Sequence, residues 1–147
     1  MTPYEHLVQY YETDSMRVVH HSNYIRWFEE ARVDFMERLG YPYSRMEQEG
    51  IFSPVVGVEC RYRSPVRFEQ RVKVTVRVQQ LSHAKLEVAY EVRDSKTNEL
   101  RATGATQHCF LNGDGRPVSL KKANPAFFAI LDEQRMLALT ESDTEKQ

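Results

Sequence analysis

Neither sign of charge dominates this chain. Lys and Arg number 20 against 21 Asp and Glu, a formal net charge of −1 over 147 residues. A general binder of nucleic acid or of an anionic membrane surface needs a basic excess, so neither is expected, and only a local basic patch stays open. Cysteine is scarce: Cys60 and Cys109 stand far apart and form no C-x-x-C pair. They suggest no zinc site and fit a reduced, cytoplasmic protein. Long apolar runs are missing, so no membrane span is expected. The opening "MTPYEHLVQYYETD" lacks a basic start followed by an apolar run, so no signal peptide is expected. A Walker loop and a dinucleotide fingerprint are also absent, which leaves nucleotide hydrolysis and redox chemistry without support. No internal repeat is visible.

The residues that are present fit one globular domain with a real core, 41% of them hydrophobic. Residues 4–11 predict a first strand and 12–21 a loop. From Ser22 to about Leu39 the apolar residues Tyr24, Trp27, Phe28, Ala31, Phe35 and Leu39 recur at helical spacing. Ser22 or Asn23 can cap that helix, and Gly40 with Pro42 ends it. A short helical turn is expected near "SRMEQEG". After Ile51 the period changes to alternation. Val72, Val74, Val76 and Val78 share one face of a strand, and Leu86, Val88, Tyr90 and Val92 repeat the pattern. Residues 53–63 and 100–111 predict two further strands, and "NGDG" at 112–115 a turn. Asn124 and Pro125 open a closing helix. The expected class is α+β, an antiparallel sheet wrapped around one long helix. Residues 1–140 are expected to form the single domain, and 141–147 a frayed polar tail.

Chemistry concentrates in "ETDSMRVVHHSNYIRWFEEAR", residues 12–32. The first N–H groups of a helix starting near Ser22 lack partners within the helix and carry the positive end of its dipole. Such groups can hold an anion or a developing oxyanion. Asp14 lies close enough in sequence to fold back over them as a general base or nucleophile. Together these are the parts needed to hydrolyse an activated acyl group. The plainer alternatives are a turn-capping Asp14 and a structural His21. Adjacent His20 and His21 are expected to point apart, with no third ligand spaced for a metal site. Glu29 and Glu30 fit solvated or interface positions, with Glu29 the fallback carboxylate.

The stretch "YYETDSMRVVHHSNYIRWFEEAR", with "RYRSPVRFEQRVKV" further on, resembles the 4-hydroxybenzoyl-CoA thioesterase-like branch of the hotdog-fold acyl-CoA thioesterases. The resemblance covers roughly residues 4–120. It implies a hotdog domain that forms a dimer or tetramer, with active sites at the subunit interface. It also implies an acyl-CoA substrate, or the thioester of an acyl carrier protein, with CoA entering as part of the substrate and no separate cofactor. The family's catalytic carboxylate falls on Asp14, the backbone N–H that polarises the carbonyl on Tyr24, and the motif histidine on His21. Arg17 departs from the pattern, since the family often has glycine there. For the CoA phosphates, the turn with Ser82, His83 and Lys85 is the first candidate, and Arg61 and Arg63 are alternatives. Two other outcomes are carried: a hydratase or dehydratase on acyl-CoA, disfavoured because the Gly-Asp-x-Asn-Pro-x-His arrangement is missing, and a non-catalytic acyl-CoA-binding module.

Overall fold

A computed structural model describes residues 2–146. In chain order it holds strand β1 (Tyr4–Leu7), a 3-10 turn (Tyr10–Glu12), helices α1 (Ser22–Arg38) and α2 (Tyr43–Gln48), and strands β2 (Val55–Tyr62), β3 (Arg71–Leu81), β4 (Lys85–Asp94) and β5 (Leu100–Cys109). Helices α3 (Leu120–Ala123) and α4 (Pro125–Lys146) follow. The sheet has five strands in the order β1-β3-β4-β5-β2, and β1 pairs antiparallel with β3, Tyr4 opposite Val74. The α+β class and the long helix are as expected.

Two compact units divide the residues. The first comprises Met1–Phe35, Val58–Val76 and Tyr90–Ala105. Its centre is the apolar face of α1, where Trp27, Phe28 and Ala31 are fully buried. Phe28 stacks on Tyr90 with ring centroids 4.5 Å apart. On β5 sits Gly104, where an added Cβ would come within 2.4 Å of the Phe28 ring. The helix lies this close to the strand only because that residue has no side chain. The second unit comprises Met36–Gly57, Arg77–Ala89 and Thr106–Gln147. There Tyr41 stacks on Phe127 at 4.3 Å. Asn124 caps α4, its Oδ1 accepting the Phe127 N–H at 3.1 Å, while its Nδ2 donates to the Tyr41 hydroxyl and to Glu49, each at 2.7 Å. The expected cap with Pro125 in first position is therefore present.

The alternation in β4 is complete, Leu86, Val88, Tyr90 and Val92 all being buried. In β3 only Val76 of the four valines is half-buried. Some boundaries differ from expectation. The first strand ends at Leu7, because the chain turns into the 3-10 segment at Tyr10 to bring Glu12 inside. Helix α4 runs to Lys146. The sequence of residues 141–146, "ESDTEK", holds no glycine or proline to stop a helix. Residue 147 lies outside the described residues.

Candidate active site at the start of α1

Residues 13–19 form a tight hairpin that leads straight into α1. Thr13 bridges Val19, the Asp14 N–H donates to the Val18 carbonyl at 2.9 Å, and the Arg17 N–H donates to the Asp14 carbonyl at 2.9 Å. Val18 bridges Arg67 and the Val19 N–H donates to the Val66 carbonyl, which ties the returning arm down. Arg17 has φ +64°. A turn followed by one left-handed residue is a common way to close a three-residue hairpin loop, and glycine suits that left-handed position best. That is a backbone reason for glycine at this place in the family pattern. Arg17→Gly is therefore expected to keep or raise stability, by up to about 1 kcal/mol, as strain relief competes with the entropy of a freer unfolded chain. Thermal melts check this, and a clear drop in Tm would mean that the arginine side chain itself holds the hairpin.

Asp14 occupies the first position of that turn. Its Oδ1 accepts the Met16 N–H at 2.8 Å. The turn-capping role is thus real, but it uses one oxygen. Among the described residues Oδ2 has no partner, so one lobe of a half-buried, fixed carboxylate stays open. Its hydrogen bonds stay within its own hairpin and do not join it to His21 or Tyr24.

The start of α1 is built by residues the sequence ranked low. The Ser22 N–H donates to His20 Nδ1 at 3.2 Å, and the Asn23 N–H to the His20 carbonyl at 3.0 Å. Neither Ser22 nor Asn23 is the cap. Ser22 is the first helical residue, and the Asn23 side-chain amide donates to the Glu12 carbonyl at 2.9 Å. His20 does the capping. The rings of His20 and His21 also lie side by side, centroids 4.1 Å apart, rather than pointing apart. The chain bends here from hairpin arm to helix, so strand alternation does not apply. The two first-turn donors given to His20 leave the Tyr24 N–H, and that of His21 just before the helix, without an acceptor among the described residues.

Tyr62, from β2, closes over this end. Its O–H donates to the His21 carbonyl at 3.1 Å, and its ring meets those of His21 and Tyr24 edge-on at 6.4 and 5.0 Å. The Tyr62 phenol is pushed up to about 12 by burial and then by its hydrogen bond with Cys60. Burial, with Cys60 nearby, pushes that of Tyr24 up to about 12 as well. Both stay protonated near neutrality and serve as donors or packing groups, leaving carboxylate and imidazole for base chemistry.

The CoA-phosphate candidates fall in different units. Arg61 and Arg63, both exposed, belong to the first. Ser82, His83 and Lys85 belong to the second, in the exposed turn between β3 and β4, where Ser82 Oγ accepts the Lys85 N–H at 3.1 Å. Two further cations join that turn. The Leu120 N–H donates to the His83 carbonyl at 2.7 Å, which brings α3, with exposed Lys121 and Lys122, alongside. Only the topology reveals this pairing. Glu30 also departs from expectation: Oε2 lies 3.1 Å from His6 Nδ1 and accepts the Tyr4 O–H at 3.0 Å, so it is paired rather than simply solvated.

The family model described as the thioesterase-like superfamily matches residues 8–140. The chain belongs to that superfamily. Relatives and structural neighbours are named thioesterases, which supports a thioester hydrolase, and the fold is the hotdog fold. Among solved structures, a DHNA-CoA thioesterase of Staphylococcus aureus is similar at 32% identity, with a TM-score of 0.87, covering 97% of this chain and 94% of its own. The hypothetical protein TT1821 of Thermus thermophilus is 37% identical, with a TM-score of 0.82, covering 91% of this chain and 99% of its own. A 1,4-dihydroxy-2-naphthoyl-CoA hydrolase of Thermosynechococcus vestitus is 26% identical over 109 residues, 74% of each chain. No described helix is long and apolar enough to cross a membrane.

Proposed function

We propose that this chain hydrolyses an acyl-CoA thioester to a free acid and CoA at the start of α1. The observation that carries the proposal is that one hairpin-to-helix segment holds both an open Asp14 oxygen and an unused first-turn N–H at Tyr24. The thioester carbonyl lies against the helix N-terminus, with the Tyr24 N–H as donor and the His21 N–H next to it. Asp14 takes a proton from water as the water oxygen bonds to the carbonyl carbon. The C–S bond then breaks, the sulfur takes the proton held by Asp14, and CoA leaves as the thiol. In the variant route Asp14 attacks first and expels the CoA thiolate, and water then opens the anhydride, giving one proton to the thiolate and restoring the Asp14 carboxylate. Helix donors aimed at the developing oxyanion lower the barrier in either case, one such donor being worth on the order of 10²–10³ in rate. His21 shapes the site beside them. No metal or redox cofactor enters this chemistry.

The test is free-thiol release by the wild-type chain over aromatic, short and long acyl-CoAs. The panel leads with 1,4-dihydroxy-2-naphthoyl-CoA, the ester for which the Thermosynechococcus relative is named. Turnover of at least one ester is expected. Tight binding with no thiol release across the panel would mean a binding module, and water addition to an enoyl-CoA would mean a hydratase. A carrier-protein thioester belongs in the same panel.

Ser82, His83 and Lys85, with Lys121 and Lys122, are proposed to receive the CoA phosphates, and Arg61 and Arg63 are the alternative landing point. Replacing Lys121 and Lys122 together by alanine is expected to raise KM about three- to tenfold with kcat unchanged, because phosphate contacts far from the carbon under attack bind ground and transition states alike. Steady-state kinetics at two salt concentrations check this, with a weaker salt dependence in the variant. The chain is further proposed to be one cytoplasmic domain that assembles as a homodimer or homotetramer. Support comes from β2, last in the sheet order, whose Val55, Val56, Val58 and Tyr62 are exposed.

A further inference from the structure

The hydrolytic chemistry leaves a buried carboxylate beside the reactive end unused. Glu12 is 4% exposed and lies two residues before Asp14. Its Oε1 accepts the Gln9 N–H at 2.8 Å and lies 2.7 Å from His6 Nε2, and its Oε2 accepts the Trp27 indole N–H at 2.7 Å. Its backbone carbonyl accepts the His20 N–H at 2.8 Å and the Asn23 side-chain amide at 2.9 Å. His6 continues outward from β1, with Nδ1 3.1 Å from Glu30 Oε2 on α1. One residue thus holds the strand before the hairpin, the residue that caps α1, and the second turn of α1.

We propose that Glu12 is a positioning residue for the Asp14 carboxylate and the N-terminus of α1. This rests on that pair being the reactive site. The side chain anchors the body of α1 through Trp27, and the backbone carbonyl anchors its cap through His20. Asp14 leaves the same anchor two residues on. Relative movement between carboxylate and helix donors is therefore limited by one side chain that is held on three sides.

The chemistry of that anchor is specific to a carboxylate. The Gln9 and Trp27 N–H groups can only donate, one to each oxygen. An amide would keep one accepting atom and turn an NH2 group toward a donor, leaving a buried donor unsatisfied. Burial works against the charge, but the Gln9 N–H and then the His6 and Trp27 contacts hold the Glu12 carboxyl below its ordinary range. It is ionised at neutral pH and accepts on both sides.

The test compares wild type with Glu12→Gln in two readouts. The first is amide hydrogen exchange, which needs no substrate. Faster exchange confined to residues 13–25, with β3–β5 unchanged, is expected. The second is kinetics per folded site, where kcat is expected to fall about tenfold with KM within about twofold, the pattern of lost alignment rather than lost binding. Unchanged exchange over residues 13–25 overturns the proposal. So does a lowered Tm with kcat per folded site intact, since that is a purely structural role. If the wild type cleaves none of the acyl-CoAs, the hydrolytic proposal fails by itself and exchange alone decides for Glu12. Should Glu12→Gln fail to fold, Trp27→Phe removes the donor to Oε2, together with part of the ring volume, and carries the same two readouts.

Discussion

Asp14→Ala is expected to lower kcat for thioester hydrolysis by about 10³ or more, because a positioned base contributes about 10²–10⁴ and no other carboxylate shares its place. The change also removes the acceptor of the Met16 N–H, so the hairpin could loosen. Asp14→Asn separates these effects. Its amide oxygen still accepts from Met16, while the freed position carries an NH2 that can neither take a proton nor attack. Both variants should lose turnover to a similar degree, and Asp14→Asn should hold its Tm within a few degrees of wild type. Free-thiol release under single-turnover conditions, with circular dichroism melts, measures both. Rates equal to wild type in Asp14→Asn would remove Asp14 from the chemistry and turn attention to Glu29, exposed two turns into α1.

Gly104→Ala is expected to be the most damaging single methyl that this chain can receive in β5. The new Cβ would lie 2.4 Å from two atoms of the Phe28 ring and 2.9 Å from the Glu59 carbonyl oxygen. Phe28 cannot step back easily, because it is fully buried and its ring is stacked on that of Tyr90, only 12° from parallel. The atoms that the methyl meets are backbone and a stacked, buried ring, so no flexible partner gives way. Over-packing of this kind costs about 1–3 kcal/mol, and this site belongs at the upper end or beyond. Urea unfolding checks it: the midpoint should fall clearly with the slope m unchanged. Activity should fall only in step with the folded fraction, because the start of α1 is held separately by Glu12, His20 and Tyr62.

Most of the fold could be read from periodicity. The apolar stripe of α1, the alternation in β3 and β4, and the Asn124–Pro125 helix start are local patterns, and each appears where it was expected. The site was only half legible. Asp14 and the helix start stand out in the sequence, but the devices that hold them depend on distant partners. Glu12 read as part of an acidic lead-in, and nothing local says that it is buried. One signal was available: a buried tryptophan needs an acceptor for its N–H, and Trp27 is the chain's single tryptophan. His20 ranked low because a cap made by an imidazole has no sequence signature of the Ser, Thr or Asp kind. Tyr62 and the Lys121–Lys122 pair reach their places through sheet topology and one backbone hydrogen bond, which no spacing rule encodes. The left-handed backbone at Arg17 was foreshadowed by the family's glycine, and the hairpin geometry supplies its reason.

The order β1-β3-β4-β5-β2 also bears on how the chain acquires its structure over time. Helix α1 is local and can form early, whereas Tyr4 must wait for Val74 and Phe28 for Tyr90 and Gly104. Such distant pairings place loop closure before reward and slow the folding of sheet proteins. During synthesis the aromatic face of α1 therefore leaves the ribosome well before the strands that cover it. The hairpin and cap around Glu12 lie within the first few dozen residues and need only β1 and α1 for most of their bonds, so the reactive end can begin to assemble before the sheet exists.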